Sequence, residues 1–138
     1  MVLIALDPGK TTGVAVCQDL GDGPHWTFDT WHTFENMVDQ LDALITRFRH
    51  EYNETVVVVY EDFVGGGLRD ANVVLSLQTV GAIRAIARVH HVEVVRQQPF
   101  DRKAFLAEAT AENRHARDAH AHGLCFLDKR RRSDARKS

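Results

Sequence analysis

The sequence predicts an α/β domain built on a mixed five-stranded sheet, its first three strands antiparallel, flanked by helices. Three observations lead there. The N-terminal part holds three short β-type runs separated by tight turns. Beyond Phe34 the hydrophobic period switches to that of a helix, then helix-like and strand-like segments alternate. Val56 to Tyr60 is apolar at every position, as in a strand covered on both faces.

The elements follow in order. Val2 to Asp7 is an apolar run stopped by the turn pair Pro8-Gly9. Gly13 to Gln18 predicts a second strand, so residues 8–12 form a tight hairpin. The turn Gly21-Asp22-Gly23-Pro24 leads to a third strand, Trp26 to Thr33, rich in aromatics and threonine. Phe34, Met37, Val38, Leu41, Leu44, Ile45, Phe48 and Tyr52 lie on one helical stripe, with Thr33 as N-cap and Asn53 as stop. The buried strand Val56 to Tyr60 comes next. Gly65-Gly66-Gly67 is a loop, and Asp70 to His90 a long helix whose apolar side includes Val73, Val74, Leu77, Val80 and Ile83. Val92 to Val95 is a fifth strand, closed by Pro99. Asp101 to Ala111 and His115 to Leu127 are helical stretches. Strands joined by short turns are antiparallel neighbours; the later two, reached through helices, run parallel to the first.

At 138 residues the chain suits a single domain, and 44% apolar content excludes a predominantly disordered chain. Apolar runs are too short for a membrane span, so no membrane association is expected. Met1-Val2-Leu3 enters the first strand without a basic leader, so no signal peptide is expected. Cys17 and Cys125 form no CxxC and read as buried thiols of a reducing cytoplasm. Residues 129–138 hold six basic residues and one acidic, a net of +5; the rest carries −7, since the whole chain stands at −2. The expected division is a domain over 1–128 and a flexible basic tail over 129–138. Lys129, Arg130, Arg131 and Arg132 are candidate phosphate contacts.

Four side chains form the candidate site. Asp7 and Glu61 end the first and fourth strands, so they share one sheet edge if those strands are adjacent and parallel. His115 and Asp118, three apart on a helix, share a face. Carboxylates gathered this way repel each other, which points to a divalent cation or a raised pKa. Oxygen donors with one imidazole suit Mg²⁺ or Mn²⁺ better than zinc, and two such ions about 4 Å apart would stabilise an in-line phosphoryl displacement. His120 and His122, two apart, point to different helical faces and make no zinc pair.

These residues resemble the RuvC-like Holliday junction resolvases of the RNase H-like superfamily. Ala5-Leu6-Asp7-Pro8-Gly9-Lys10-Thr11-Thr12-Gly13 is similar to that family's first motif. Tyr60-Glu61, followed by a helix with Leu77-Gln78 and Gly81-Ala82, resembles its second, and His115-x-x-Asp118-Ala119 its last. The short stretch between Pro99 and His115 resembles compact phage versions. The resemblance implies a metal-dependent nuclease site at Asp7, Glu61, His115 and Asp118, a homodimer, and branched DNA as substrate. It implies Lys103 as a DNA-backbone contact and Phe63 as candidate for the family's aromatic wedge. Lys10 and Arg69 are further candidate DNA contacts. Preference for forks or flaps, and a catalytically silent DNA-binding protein, are the alternatives. An ATPase of the sugar-kinase type would need two such halves and a longer chain.

Overall fold

Alternation along the strands sorts the core into two layers, one on each side of the sheet. The computed structural model of the chain describes residues 1–62 and 71–137. In strand β1 (Val2–Asp7), Val2, Ile4 and Leu6 face one core, and Leu3 and Ala5 face the other. Strands β2 (Thr12–Asp19), β3 (Pro24–Trp31), β4 (Val56–Glu61) and β5 (Glu93–Gln97) complete a sheet of order β3-β2-β1-β4-β5. The β1–β2 and β2–β3 pairs are antiparallel; β1–β4 and β4–β5 are parallel. The expected topology is therefore the observed one, with β1 and β4 side by side.

The first layer is helical on its outer side. Helix α1 (Phe34–Ile45) buries Met37, Leu41 and Ile45, and Thr33 caps it by accepting from the Asn36 N–H at 3.0 Å. The stripe expected to continue to Tyr52 widens into a π-helical turn, Thr46–Glu51. Helix α2 (Ala71–Val89) adds Val80 and Ile83 to this core. Val74 and Leu77, expected on its apolar side, are instead 38% and 42% exposed.

Helix α4 (Arg114–Lys137) covers the second layer, packing on Leu3, Val57 and Val59 through Phe126 and on Ala5 and Ala15 through Ala119. It does not stop at Leu127. The segment expected as a flexible tail forms its last turns, where Arg131 and Arg132 reach back to Asp128 at 2.9 and 3.0 Å, the i,i+3 and i,i+4 spacing that supports a helix.

The helix expected over Asp101–Ala111 is only α3 (Pro99–Lys103), followed by turns. Pro99 suits the first helical turn, and the Asp101 carboxylate accepts from the Gln98 N–H at 2.7 Å. Tertiary bonds then override helix propensity: the Thr110 N–H donates to His120 Nδ1 at 3.1 Å, and Arg117 donates to the carbonyls of Ala111 and Glu112.

Cys17 and Cys125 are buried free thiols. Among the described residues no helix is long and apolar enough to cross a membrane.

Candidate active site

Period two puts the first two carboxylates on the α4 side of the sheet. Leu3 and Ala5 face α4, so Asp7 does too; Val57 and Val59 bring Glu61 to the same side. Parallel pairing of Leu6 with Tyr60 then leaves Asp7 and Glu61 adjacent at one edge, and their side chains share a hydrogen bond.

Small residues let α4 approach. Gly13 pairs with Asp7 across the hairpin, and a Cβ there would lie 2.0 Å from the His115 carbonyl oxygen. Further along, a Cβ on Gly123 would lie 2.6 Å from the Trp26 ring. The helix starts at Asn113, whose side-chain oxygen accepts from the N–H groups of His115 and Ala116 at 2.9 and 3.3 Å. Asp118 is thereby brought close enough to Asp7 for their charges to interact.

Two residues outside the four expected from the sequence complete the cluster. Arg102, on α3, donates through Nη1 to Glu61 Oε1, and its Nε lies 3.8 Å from Asp118 Oδ1. His122 is fully buried, with Nε2 2.9 Å from Glu61 Oε1 and Nδ1 2.7 Å from the Gln97 side-chain oxygen. Gln97 is the β5 partner of Glu61, so strand pairing sets this bridge. The cation that Glu61 requires was absent from its sequence neighbours; Arg102 supplies it from 41 positions away. His122 carried a legible signal, being four residues after Asp118 and on the same helical face.

The electrostatics follow from crowding. Burial, then the charges of Glu61 and Asp118, push the Asp7 carboxyl up from 3.8 to about 8, against a downward pull from Arg102. For Glu61 burial also pushes up, but the His122 hydrogen bond and the Arg102 charge outweigh it, and the group stays below its ordinary value. Asp7 therefore holds a proton at neutral pH while Glu61 is ionised.

Three carboxylates around one guanidinium are short of positive charge, and their oxygens are the donors that Mg²⁺ or Mn²⁺ takes. Asp7, Glu61 and Asp118 fit such an ion in kind. As the side chains stand, no three His, Cys, Asp or Glu residues among those described are arranged to hold one. Arg102 bridges Glu61 and Asp118 instead. The expected fourth ligand is not assembled either: the His115 backbone sits on Gly13, but no hydrogen bond or ion pair joins its side chain to the three carboxylates.

Of the expected DNA contacts, Lys10 and Lys103 are exposed. Phe63 and Arg69 lie outside the described residues. The basic cluster is folded back on the protein: Lys129 reaches Asp101 at 3.1 Å, Arg130 reaches Glu93 at 3.8 Å and lies over the Phe126 ring, and Arg131 and Arg132 hold Asp128. At about 1.5 Å per residue, Arg130 stands about 18 Å from Asp118 along the helix.

No protein-family model and no curated protein sequence matches the chain. Solved structures do. Thermus thermophilus RuvC in complex with a Holliday junction superposes with a TM-score of 0.69 at 19% identity, covering 95% of each chain. A structure of RuvC from Thermus thermophilus gives 0.66 at 21% identity, over 96% of this chain and 97% of that one. The fowlpox virus Holliday junction resolvase gives 0.56 at 13% identity, over 94% and 99%. The chain thus has the RNase H-like fold of the RuvC-type resolvases.

Proposed function

We propose that the chain is a metal-dependent endonuclease of branched DNA, acting foremost on four-way junctions, with forks and flaps as the alternative substrates. The observation that carries this reading is the meeting of Asp7, Glu61 and Asp118 at one sheet edge. Support comes from the neighbours: the Thermus thermophilus and fowlpox proteins of this fold were each solved with Holliday junction DNA.

Asp7, Glu61 and Asp118 would hold Mg²⁺ or Mn²⁺, two ions in the full arrangement. Bound there, such ions supply a nucleophilic water at neutral pH and steady both oxygens of an in-line phosphodiester displacement. The chain's own groups prepare this. His122 fixes Glu61 from the buried side, through Gln97. On metal binding Asp7 would give up its proton to solvent, freeing its carboxylate as a donor. His115, whose backbone lies against Gly13, would serve as the imidazole donor or as a contact to the scissile phosphate only once its side chain turns toward the carboxylates. Lys10 and Lys103 are exposed and would serve as phosphate contacts, which position the DNA rather than read it. Lys129 to Arg132, paired with Asp101, Glu93 and Asp128, would meet DNA by exchanging those partners for phosphates.

Two copies would present two sites to a two-fold junction. The exposed Val74 and Leu77 of α2 support such a pairing. The buried free thiols fit a cytoplasmic setting.

The test is direct. Labelled four-way, forked and linear duplexes are incubated with the protein in Mg²⁺ and in Mn²⁺, and the cuts are mapped. Symmetric paired nicks in the four-way substrate are expected. Asp7→Asn and Glu61→Gln should lose incision and keep junction binding. Binding without cleavage under any metal would make the protein a silent DNA binder; an Asp7→Asn variant that cuts normally would end the assignment.

A further inference from the structure

We infer that Arg102 is an internal counter-cation that occupies the carboxylate cluster in the metal-free protein and competes with the divalent ion for Glu61 and Asp118. The inference rests on the metal-dependent reading above and adds a control on it. Among the described residues, Arg102 is the cation that touches two of the three carboxylates. A guanidinium suits this role because it stays charged at any working pH and bridges carboxylates with several N–H groups.

The surroundings let the side chain leave without disturbing the backbone. Helix α3 is pinned at its start by the Gln98–Asp101 hydrogen bond and by Lys129 on Asp101. The Arg102 side chain is 26% exposed, so its head has a route to water. His122 grips the same oxygen of Glu61 from the buried side, so Glu61 keeps an orienting partner once Arg102 departs. Arg102 thus relieves the repulsion among the carboxylates when no metal is bound and weakens metal uptake by the energy needed to displace it.

The test compares wild type, Arg102→Gln and Arg102→Lys by titration with Mn²⁺ alone, followed by calorimetry and by the spin-resonance signal of free Mn²⁺. Arg102→Gln should bind Mn²⁺ at least ten-fold more tightly, about 1.4 kcal/mol, and melt at a lower temperature without metal. Arg102→Lys, which keeps the charge, should stay within a few-fold of wild type. In the wild-type protein the Arg102 Nε–H resonance, assigned by its loss in Arg102→Lys, should be protected in chelator and should lose protection at the same Mg²⁺ equivalence as binding. This second measurement stands even if Arg102→Gln does not fold.

The failures separate. If neither wild type nor Arg102→Gln takes up Mn²⁺, the metal-dependent reading itself falls. If wild type binds Mn²⁺ through Asp7, while Arg102→Gln binds no more tightly and the Nε–H resonance ignores Mg²⁺, only the role of Arg102 falls.

Discussion

Replacing Asp7 with asparagine should flatten the pH dependence of stability in the metal-free protein while removing cleavage. Folded Asp7 keeps its proton up to about pH 8, whereas the unfolded chain releases it near 3.8. Between those values the folded state binds more protons, so stability falls as pH rises. This contribution is whole below the unfolded value and is lost as pH climbs through about 8. The other shifted groups act elsewhere: Cys17, Tyr60, Cys125 and Lys129, all raised, act only toward and above their ordinary values of 9 to 10.5. Glu61 and Asp101 are held below their ordinary values, so their stabilisation is lost only as pH falls below about 4.5. Burial lowers His120 from 6.5, so its effect lies below that value. The interval from pH 6.5 to 8 therefore reports Asp7. At about 1.4 kcal/mol per pH unit the loss there is at most about 2 kcal/mol. Urea unfolding in chelator at half-unit steps measures it. Wild type should lose about 1–2 kcal/mol over the interval and Asp7→Asn almost none; parallel curves would refute the claim that crowding holds a proton on Asp7.

Gly13→Ala should destabilise by about 3 kcal/mol, because the new methyl meets the His115 backbone, which has nowhere to go; thermal melts against Gly123→Ala, where the Trp26 ring can shift, should show the first as clearly worse. His122→Leu should cost about 1–3 kcal/mol by leaving Gln97 without its partner, and should slow cleavage more than it weakens junction binding in a gel-shift assay. Neutralising Arg130, Arg131 and Arg132 together to Gln should flatten the log-affinity against log-salt slope by about 2–3 if they contact phosphates; an unchanged slope would mean that Asp128 and Glu93 retain them. Mn²⁺ binding near pH 7 should release about one proton per site, read by calorimetry in buffers of different ionisation enthalpy; no release would mean that Asp7 binds no metal.

The legible parts of this chain were those in which local pattern and tertiary position coincide. Asp7 and Glu61 sit where apolar strands meet turns, and they share one sheet edge because their strands are adjacent and parallel, as expected. Asp118 follows from its helix face. Arg102 was hidden because its partner is 41 positions away and because a longer helix was expected around it. That helix fails for tertiary reasons: His120 and Arg117 of α4 take the backbone groups of residues 110–112. His122 is informative through Asp118, four residues before it on the same helical face, rather than through His120, two residues away. His120 itself packs on Trp26 and Phe28, away from the site. The tail looked like solvated charge, yet Asp128 and Glu93 supply partners that a charge count does not reveal.

The central claim, that three carboxylates scattered over the chain form one cation centre, has a direct test in a crystal grown with Mn²⁺ and measured for anomalous scattering. The account predicts a peak with oxygens of Asp7, Glu61 and Asp118 at about 2.1 Å and with Arg102 turned away from Glu61. Saturating Mn²⁺ with no peak among these residues, or a peak bound elsewhere, would contradict it.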